Sequence, residues 1–255
     1  MSKNRRGGRD LQSHRVIDAT IGFHRLAEGS VLYRSEGTVI LVTASIDESV
    51  PRFMEGSGRG WVTAEYQLHP RANPQRREAR DGRTKPLSGR SKEIERLIGR
   101  ALRGAVIPER LGERTIVIDC DVLEADGGTR TASITAGWVA LAVALEKLRV
   151  KGLLSGAPLR DQVAAISVGH VDGELALDLC YAEDSIARVD LNVVGTEAGN
   201  IVELQGTAEG EAVSRKDMDS MIDLALLGIS SLCEVQRGML AAAGLELGSL
   251  LAKRG

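Results

Sequence analysis

The chain has 255 residues, 43% apolar and 27% charged, ordinary globular values that exclude wholesale disorder. Its longest uninterrupted apolar run, Trp138 to Leu145, is too short to cross a bilayer, and no apolar segment follows the basic amino terminus as a secretory signal would require. The net charge of −2 conceals an asymmetry: residues 1–15 carry five Lys and Arg against Asp10 alone, residues 71–92 carry eight against Glu78 and Asp81, and the remainder is acidic.

In chain order, residues 1–14 read as a basic arm, mobile or ordered by a partner. Short strands follow at Arg15–Ile21, Ser30–Arg34 and Thr38–Ser45, separated by Gly29 and by Glu36-Gly37, the spacing of a meander. Trp61–Leu68 is a further strand. The segment 71–90 has no apolar period and reads as a long functional loop. Arginine dominates lysine there, and its planar fork suits phosphate, so a polyanion partner is expected. Ser91 then reads as the cap of a helix whose apolar stripe runs Ile94, Leu97, Ile98, Ala101, Leu102 and Ala105, with Arg90 just before it.

Next comes Cys-Asp-Val-Leu-Glu-Ala-Asp-Gly-Gly-Thr-Arg-Thr-Ala-Ser-Ile-Thr (120–135). Ile116, Ile118, Cys120 and Val122 alternate as in a strand, Gly127 and Gly128 make a turn, and Ile134, Trp138, Leu141, Leu145 and Leu148 recur at helical spacing. Glycines before a helix start, with Thr129 and Arg130 on its first turn, present backbone N–H groups and a guanidinium to an anion. The same turn chemistry fits a helix capped by threonine with Arg130 in solvent, and both readings stand on the turn alone. Beyond Ser155–Pro158, a connection between lobes, Val163–His170 and Glu174–Tyr181 flank the hairpin signal Asp172-Gly173. Ile186–Val194 and Ile201–Gln205 continue the sheet. Asp184 and Asp190, an even six apart, would share one face of an extended segment, where they could hold magnesium or donate a proton; a turn cap and a solvent-side strand residue is the plainer reading. Ser214 with Asp217 begins a last helix towards Ala243, and residues 245–255 read as a frayed tail. Cys120, Cys180 and Cys233 are odd in number with no C-x-x-C pair, as in reduced thiols of a cytoplasmic protein without a zinc site.

Together these segments resemble the ribonuclease PH family from about Arg15 to Gly244. The resemblance is carried by 27–32 (Ala-Glu-Gly-Ser-Val-Leu), 60–66, 88–103, 119–135, 183–185 (Glu-Asp-Ser), 190–194 (Asp-Leu-Asn-Val-Val) and 203–210 (Glu-Leu-Gln-Gly-Thr-Ala-Glu-Gly). It implies an α/β (α+β) fold of mixed sheets packed by helices: one compact domain of two intimately packed lobes, 15–154 and 155–244, between the arm 1–14 and the tail 245–255. It implies a ring hexamer, a trimer of dimers, and a phosphate-dependent 3′→5′ exoribonuclease that trims transfer-RNA precursors and releases nucleoside diphosphates. The family's phosphate site would fall on Arg90, Gly128, Thr129 and Arg130, its Mg²⁺- or Mn²⁺-dependent catalytic carboxylates on Asp184 and Asp190, and its RNA contacts on Arg71, Arg76 and Arg77. The loop departs from the family pattern in the spacing of its basic residues, with Pro74 and Pro86 in unusual places. A hydrolytic metal-dependent nuclease would use the same carboxylates, and a non-catalytic RNA-binding ring subunit would lack part of the site.

Overall fold

In the computed structural model, which describes residues 5, 8–73, 77 and 88–253, two sheets enclose one central helix. Strands β1 (Ile17–Ile21), β2 (Gly29–Ser35) and β3 (Thr38–Asp47) form the expected antiparallel meander. From β4 (Trp61–Leu68) the chain returns through α1 (Gly89–Ala105) and α2 (Pro108–Leu111) to β5 (Thr115–Glu124). β5 inserts between β3 and β4 and runs parallel to β4, so the order is β1-β2-β3-β5-β4. The alternation read from the sequence is the observed one: Ile116, Ile118, Cys120 and Val122 point into the core.

Helix α3 (Thr129–Val150) covers this sheet and is buried over most of its length. By length and composition it could cross a membrane, although no single unbroken apolar run could, and 89% of its most apolar window is buried inside the fold. That burial is what a helix packed on both sides requires. Gly29 allows the closest approach: a Cβ there would lie 2.0 Å from the Ala140 carbonyl oxygen. Gly29→Ala should therefore cost about 3 kcal/mol or more through overpacking, read as a lowered denaturant midpoint with an unchanged slope.

The second sheet, in order β7-β6-β8-β9, consists of β6 (Val163–Val171), β7 (Glu174–Leu177), β8 (Val189–Thr196) and β9 (Ile201–Ala208), all antiparallel. A short helix α4 (Tyr181–Asp184) precedes β8, and α5 (Arg215–Ala242) closes the chain's regular structure, capped as expected by Ser214. Both faces of β6 are buried. Val163 and Ala165 join the core around α3, while Ala164, Ile166 and Val168 join a second core with α5. On β8 the same parity sends Val194 towards α3 and Leu191 and Val193 towards α5. Asp190 and Asn192 therefore share the α3 side with Val194.

Five expectations change. Ser88 caps α1, accepting from the Ser91 N–H, so Arg90 lies inside the first turn rather than before it. β7 stops at Leu177 because Asp178, at φ 54, turns the chain into α4. Asp184 and Asp190 do not lie on one extended segment: one ends a helical turn and the other belongs to a strand. The residues read as a frayed tail are packed, with Leu250 fully buried and Leu251 bridged to Leu159. The described part of the basic arm is likewise docked: the Arg5 side chain is 4% exposed, and the Leu11 carbonyl accepts from the Leu177 N–H.

Candidate active site

A cleft of about 500 Å³ opens where the start of α3 meets the second sheet. One wall is the turn before α3. Gly127 and Gly128 have φ values of 80° and 64°, and no side chain among the described residues caps the helix, so its first N–H groups face the cleft without intrahelical acceptors. A Cβ on Gly127 would lie 2.7 Å from both the Cys180 carbonyl carbon and the Leu179 carbonyl oxygen. Glycine thus lets this turn press backbone to backbone against the approach to α4, where the Tyr181 N–H donates to the Asp126 carbonyl at 3.1 Å.

Beneath the turn lies a buried ion pair. Arg15 Nη2 meets Asp178 Oδ1 at 2.7 Å, with side chains 1% and 9% exposed, and Arg15 Nη1 donates to the Asp126 carbonyl at 2.9 Å. Burial pushes the Asp178 carboxyl upward, but the charge and hydrogen bonds of Arg15, with help from Arg9, hold it below the usual carboxylate range. Next to it, Arg5 and Arg9 reach Glu183, whose carboxylate also accepts from the Cys180 N–H at the start of α4. The amino-terminal arm thereby steadies the helical turn that carries Asp184.

Every expected phosphate-site and carboxylate residue lines this one cleft: Arg90, Gly128, Thr129, Arg130, Asp184 and Asp190. Arg90 and Arg130, from two separate helix starts, both lie near enough to Asp184 to pull its pKa down, although burial raises it on balance. Asp190 is raised too, first by burial and then by the neighbouring Asp184 charge. Asn192 donates to Asp190 Oδ2 at 3.1 Å, whereas Asp190 Oδ1 is buried with no hydrogen-bond partner among the described residues. Of the expected RNA contacts, Arg71 and Arg77 are exposed and are not among the cleft's lining residues; Arg71 immediately precedes Ala72, which is. Arg76 lies outside the described residues.

Several site residues carried no signal strong enough to single them out. Tyr66, on β4, lines the cleft with its hydroxyl 2.8 Å from Thr129 Oγ1, and burial pushes its phenol upward. Asn192 was findable, being two residues from Asp190 and on the same face. The Arg15–Asp178 pair and Gln205, which accepts from Arg130 Nη1, join residues far apart in sequence, where no local period reports them.

Comparison with known proteins bears on the family and the fold. Residues 13–145 match domain 1 and residues 161–228 match domain 2 of the 3′ exoribonuclease family. The chain is 51% identical to ribonuclease PH of Crocosphaera subtropica over 243 residues, 95% of this chain and 100% of that one. Its fold is similar to rice (Oryza sativa) Rrp46, with a TM-score of 0.73 at 21% identity over 92% of this chain and 100% of that one. It is also similar to a chain of the Archaeoglobus fulgidus exosome with RNA bound to the active site, with a TM-score of 0.72 at 23% identity over 91% and 92% of the two chains. These two likenesses speak for the fold; the family matches and the near full-length identity speak for the lineage. The chain belongs to the 3′ exoribonuclease family typified by ribonuclease PH.

Proposed function

We propose that this cleft is where inorganic phosphate and an RNA 3′ end meet, and that the RNA is a transfer-RNA precursor. The chain is a phosphorolytic 3′→5′ exoribonuclease, a nucleotidyltransferase in its chemistry. The observation that carries the site assignment is the convergence of two arginines and a bare helix start on one wall with two carboxylates in the same cleft. Phosphate attack on a phosphodiester brings two anions together. Arg90, Arg130 and the N–H groups at Gly128 and Thr129 hold the attacking phosphate, each charge-assisted bond contributing roughly 1.5–3 kcal/mol against that repulsion. A phosphate oxygen forms the new bond to the terminal phosphorus, the bond to the 3′ oxygen breaks, and a nucleoside diphosphate leaves. The departing 3′ oxygen needs a proton, and Asp184, in the same cleft as the phosphate-site residues, is placed to supply it.

The residues present fit a divalent cation, Mg²⁺ or Mn²⁺. Asp190 Oδ1 is buried and, among the described residues, unpartnered, and the Asp184 charge beside it adds to the burden of burial. Among the described residues no cluster of three or more His, Cys, Asp or Glu surrounds them. Two carboxylates suffice for Mg²⁺, which retains waters and borrows substrate phosphate oxygens. When bound, such an ion would neutralise charge developing on the scissile phosphate.

A homo-hexameric ring, a trimer of dimers, is supported by large apolar side chains left in solvent: Val16 is 76% exposed, Leu26 88%, Phe53 71% and Val150 72%. Cytoplasmic residence is supported by three unpaired, buried thiols. Arg71, Arg76 and Arg77 are the proposed RNA contacts, and the exposure of Arg71 and Arg77 suits that role. The test of the reaction is a 3′-extended transfer-RNA precursor incubated with Mg²⁺, with and without phosphate, and its products separated by chromatography. Nucleoside diphosphates formed only with phosphate are expected. Monophosphates released regardless of phosphate would establish the hydrolytic reading instead.

A further inference from the structure

Arg130 does not stand free in the cleft. Its Nη1 donates to Gln205 Oε1 on β9, and Gln205 Nε2 in turn donates to Glu93 Oε1 on α1. Glu93 lies three residues after Arg90, one turn along the same helix face. The Gln205 amide therefore spans the two helices that bring the two arginines to the cleft. It reaches α3 through Arg130 and α1 through Glu93.

The surroundings show that this bridge is built into the fold. β9 is an edge strand of the second sheet, whereas α1 packs on the first. The two are joined a second time by Arg100, which donates to both carboxylate oxygens of Glu203 at 2.9 and 2.6 Å. Glu93 and Arg100 are two turns apart on α1, and Glu203 and Gln205 are alternate residues on β9, so each pair shares a face. Gln205 also sits directly across from Asn192, the residue that donates to Asp190. One strand pair thus references both the arginine side and the carboxylate side of the cleft.

An amide suits this position for an electrostatic reason. Its oxygen accepts from the guanidinium and its nitrogen donates to the carboxylate, so Glu93 orients Arg130 without pairing with it directly. Arg130 keeps its full positive charge for an incoming anion. A carboxylate at position 205 would occupy the guanidinium and face Glu93 at close range. An apolar side chain would release Arg130 and let the α1–β9 seam relax.

We infer that Gln205 is a positioning residue that, anchored by Glu93, holds Arg130 at the separation from Arg90 needed to grip inorganic phosphate. This inference rests on the assignment of Arg90 and Arg130 to phosphate made above. It concerns a residue that touches neither substrate nor reacting atoms, so its signature is selective. Gln205→Met should raise the KM for inorganic phosphate on the order of tenfold, the worth of one charge-assisted hydrogen bond. The KM for RNA should stay within about twofold of native, and kcat at saturating phosphate should fall much less than the phosphate affinity does. Gln205→Glu should raise the phosphate KM further.

Glu93 is exposed, so its replacement is a second measurement that spares the fold. Glu93→Leu should weaken phosphate, and Glu93→Gln, whose side-chain oxygen can still accept from Gln205, should restore near-native affinity. Calorimetric titration of inorganic phosphate into the RNA-free enzyme gives the same ordering without turnover. A phosphate KM within about twofold of native in a folded Gln205→Met enzyme would overturn the inference, as would an equal loss of RNA affinity. If Arg130→Ala itself leaves the phosphate KM unchanged, the site assignment fails before the bridge is tested, and the two failures are told apart.

Discussion

Asp190→Asn is expected to lower kcat on the order of 10²–10³-fold while leaving phosphate and RNA affinity close to native. The substitution keeps the size of the side chain and its contact with Asn192, so the packing of β8 against α3 is preserved. It removes the charge on a group whose Oδ1 is buried and unpartnered among the described residues. Steady-state kinetics with phosphate and RNA varied separately distinguishes this from a binding defect. A variant that loses RNA affinity in proportion to kcat would show that Asp190 serves the polymer rather than the bond being broken. Melting temperature serves as the control, because relieving the repulsion from Asp184 should leave the variant at least as stable as the native chain.

Breaking the pair beneath the turn should have the largest effect on stability. Arg15→Met leaves Asp178 buried without its partner and is expected to cost about 3–5 kcal/mol. Asp178→Asn, which tolerates the same left-handed backbone, should cost a comparable amount by stranding Arg15. The pH dependence distinguishes the two. In the native protein the Asp178 carboxyl is held below its unfolded value, so its contribution is complete above the unfolded carboxylate range and is lost as pH falls through the folded pKa. In Arg15→Met only the main-chain N–H of residue 15 and the Arg9 charge still oppose burial, so the carboxyl is held down far less and the loss of stability on acidification should shrink, whereas Asp178→Asn should show none. Chemical denaturation at several pH values measures all three. Because Arg15 also donates to the Asp126 carbonyl, both variants should loosen the phosphate turn and raise the phosphate KM.

Which parts were legible in the sequence follows from how far apart the cooperating residues lie. The strand, turn and helix at 115–150 were readable because a period of two gives way to a period of 3.6 across two glycines, and local pattern decides that segment. Arg90 and Arg130 could be proposed as partners because each adjoins a recognisable helix start. Their common cleft became visible only once α1 and α3 were packed on the same sheet. The carboxylates show a sound outcome from an unsound step. Asp184 and Asp190 do meet, but because α4 turns the chain before β8 begins, not because an even spacing aligned them. Ser91 was read as the cap of α1, and only the hydroxyl geometry, with the Ser91 N–H donating to the Ser88 side chain, moves the cap three residues earlier. Arg15 with Asp178 and Gln205 with Arg130 were beyond reach, since a contact across 163 or 75 positions leaves no periodic trace.

The placement of α3 divides the two proposed ligands of the cleft by their response to ionic strength. Its first N–H groups line a cleft rather than an open surface, so on the proposed assignment the phosphate meets fixed dipoles and two arginines at short range, where salt screens least. Arg71 and Arg77 stand in solvent, where counterions compete for each contact with a polymer. On that assignment, added salt is expected to loosen the RNA well before it loosens the phosphate, so the chain would be released more readily than its nucleophile.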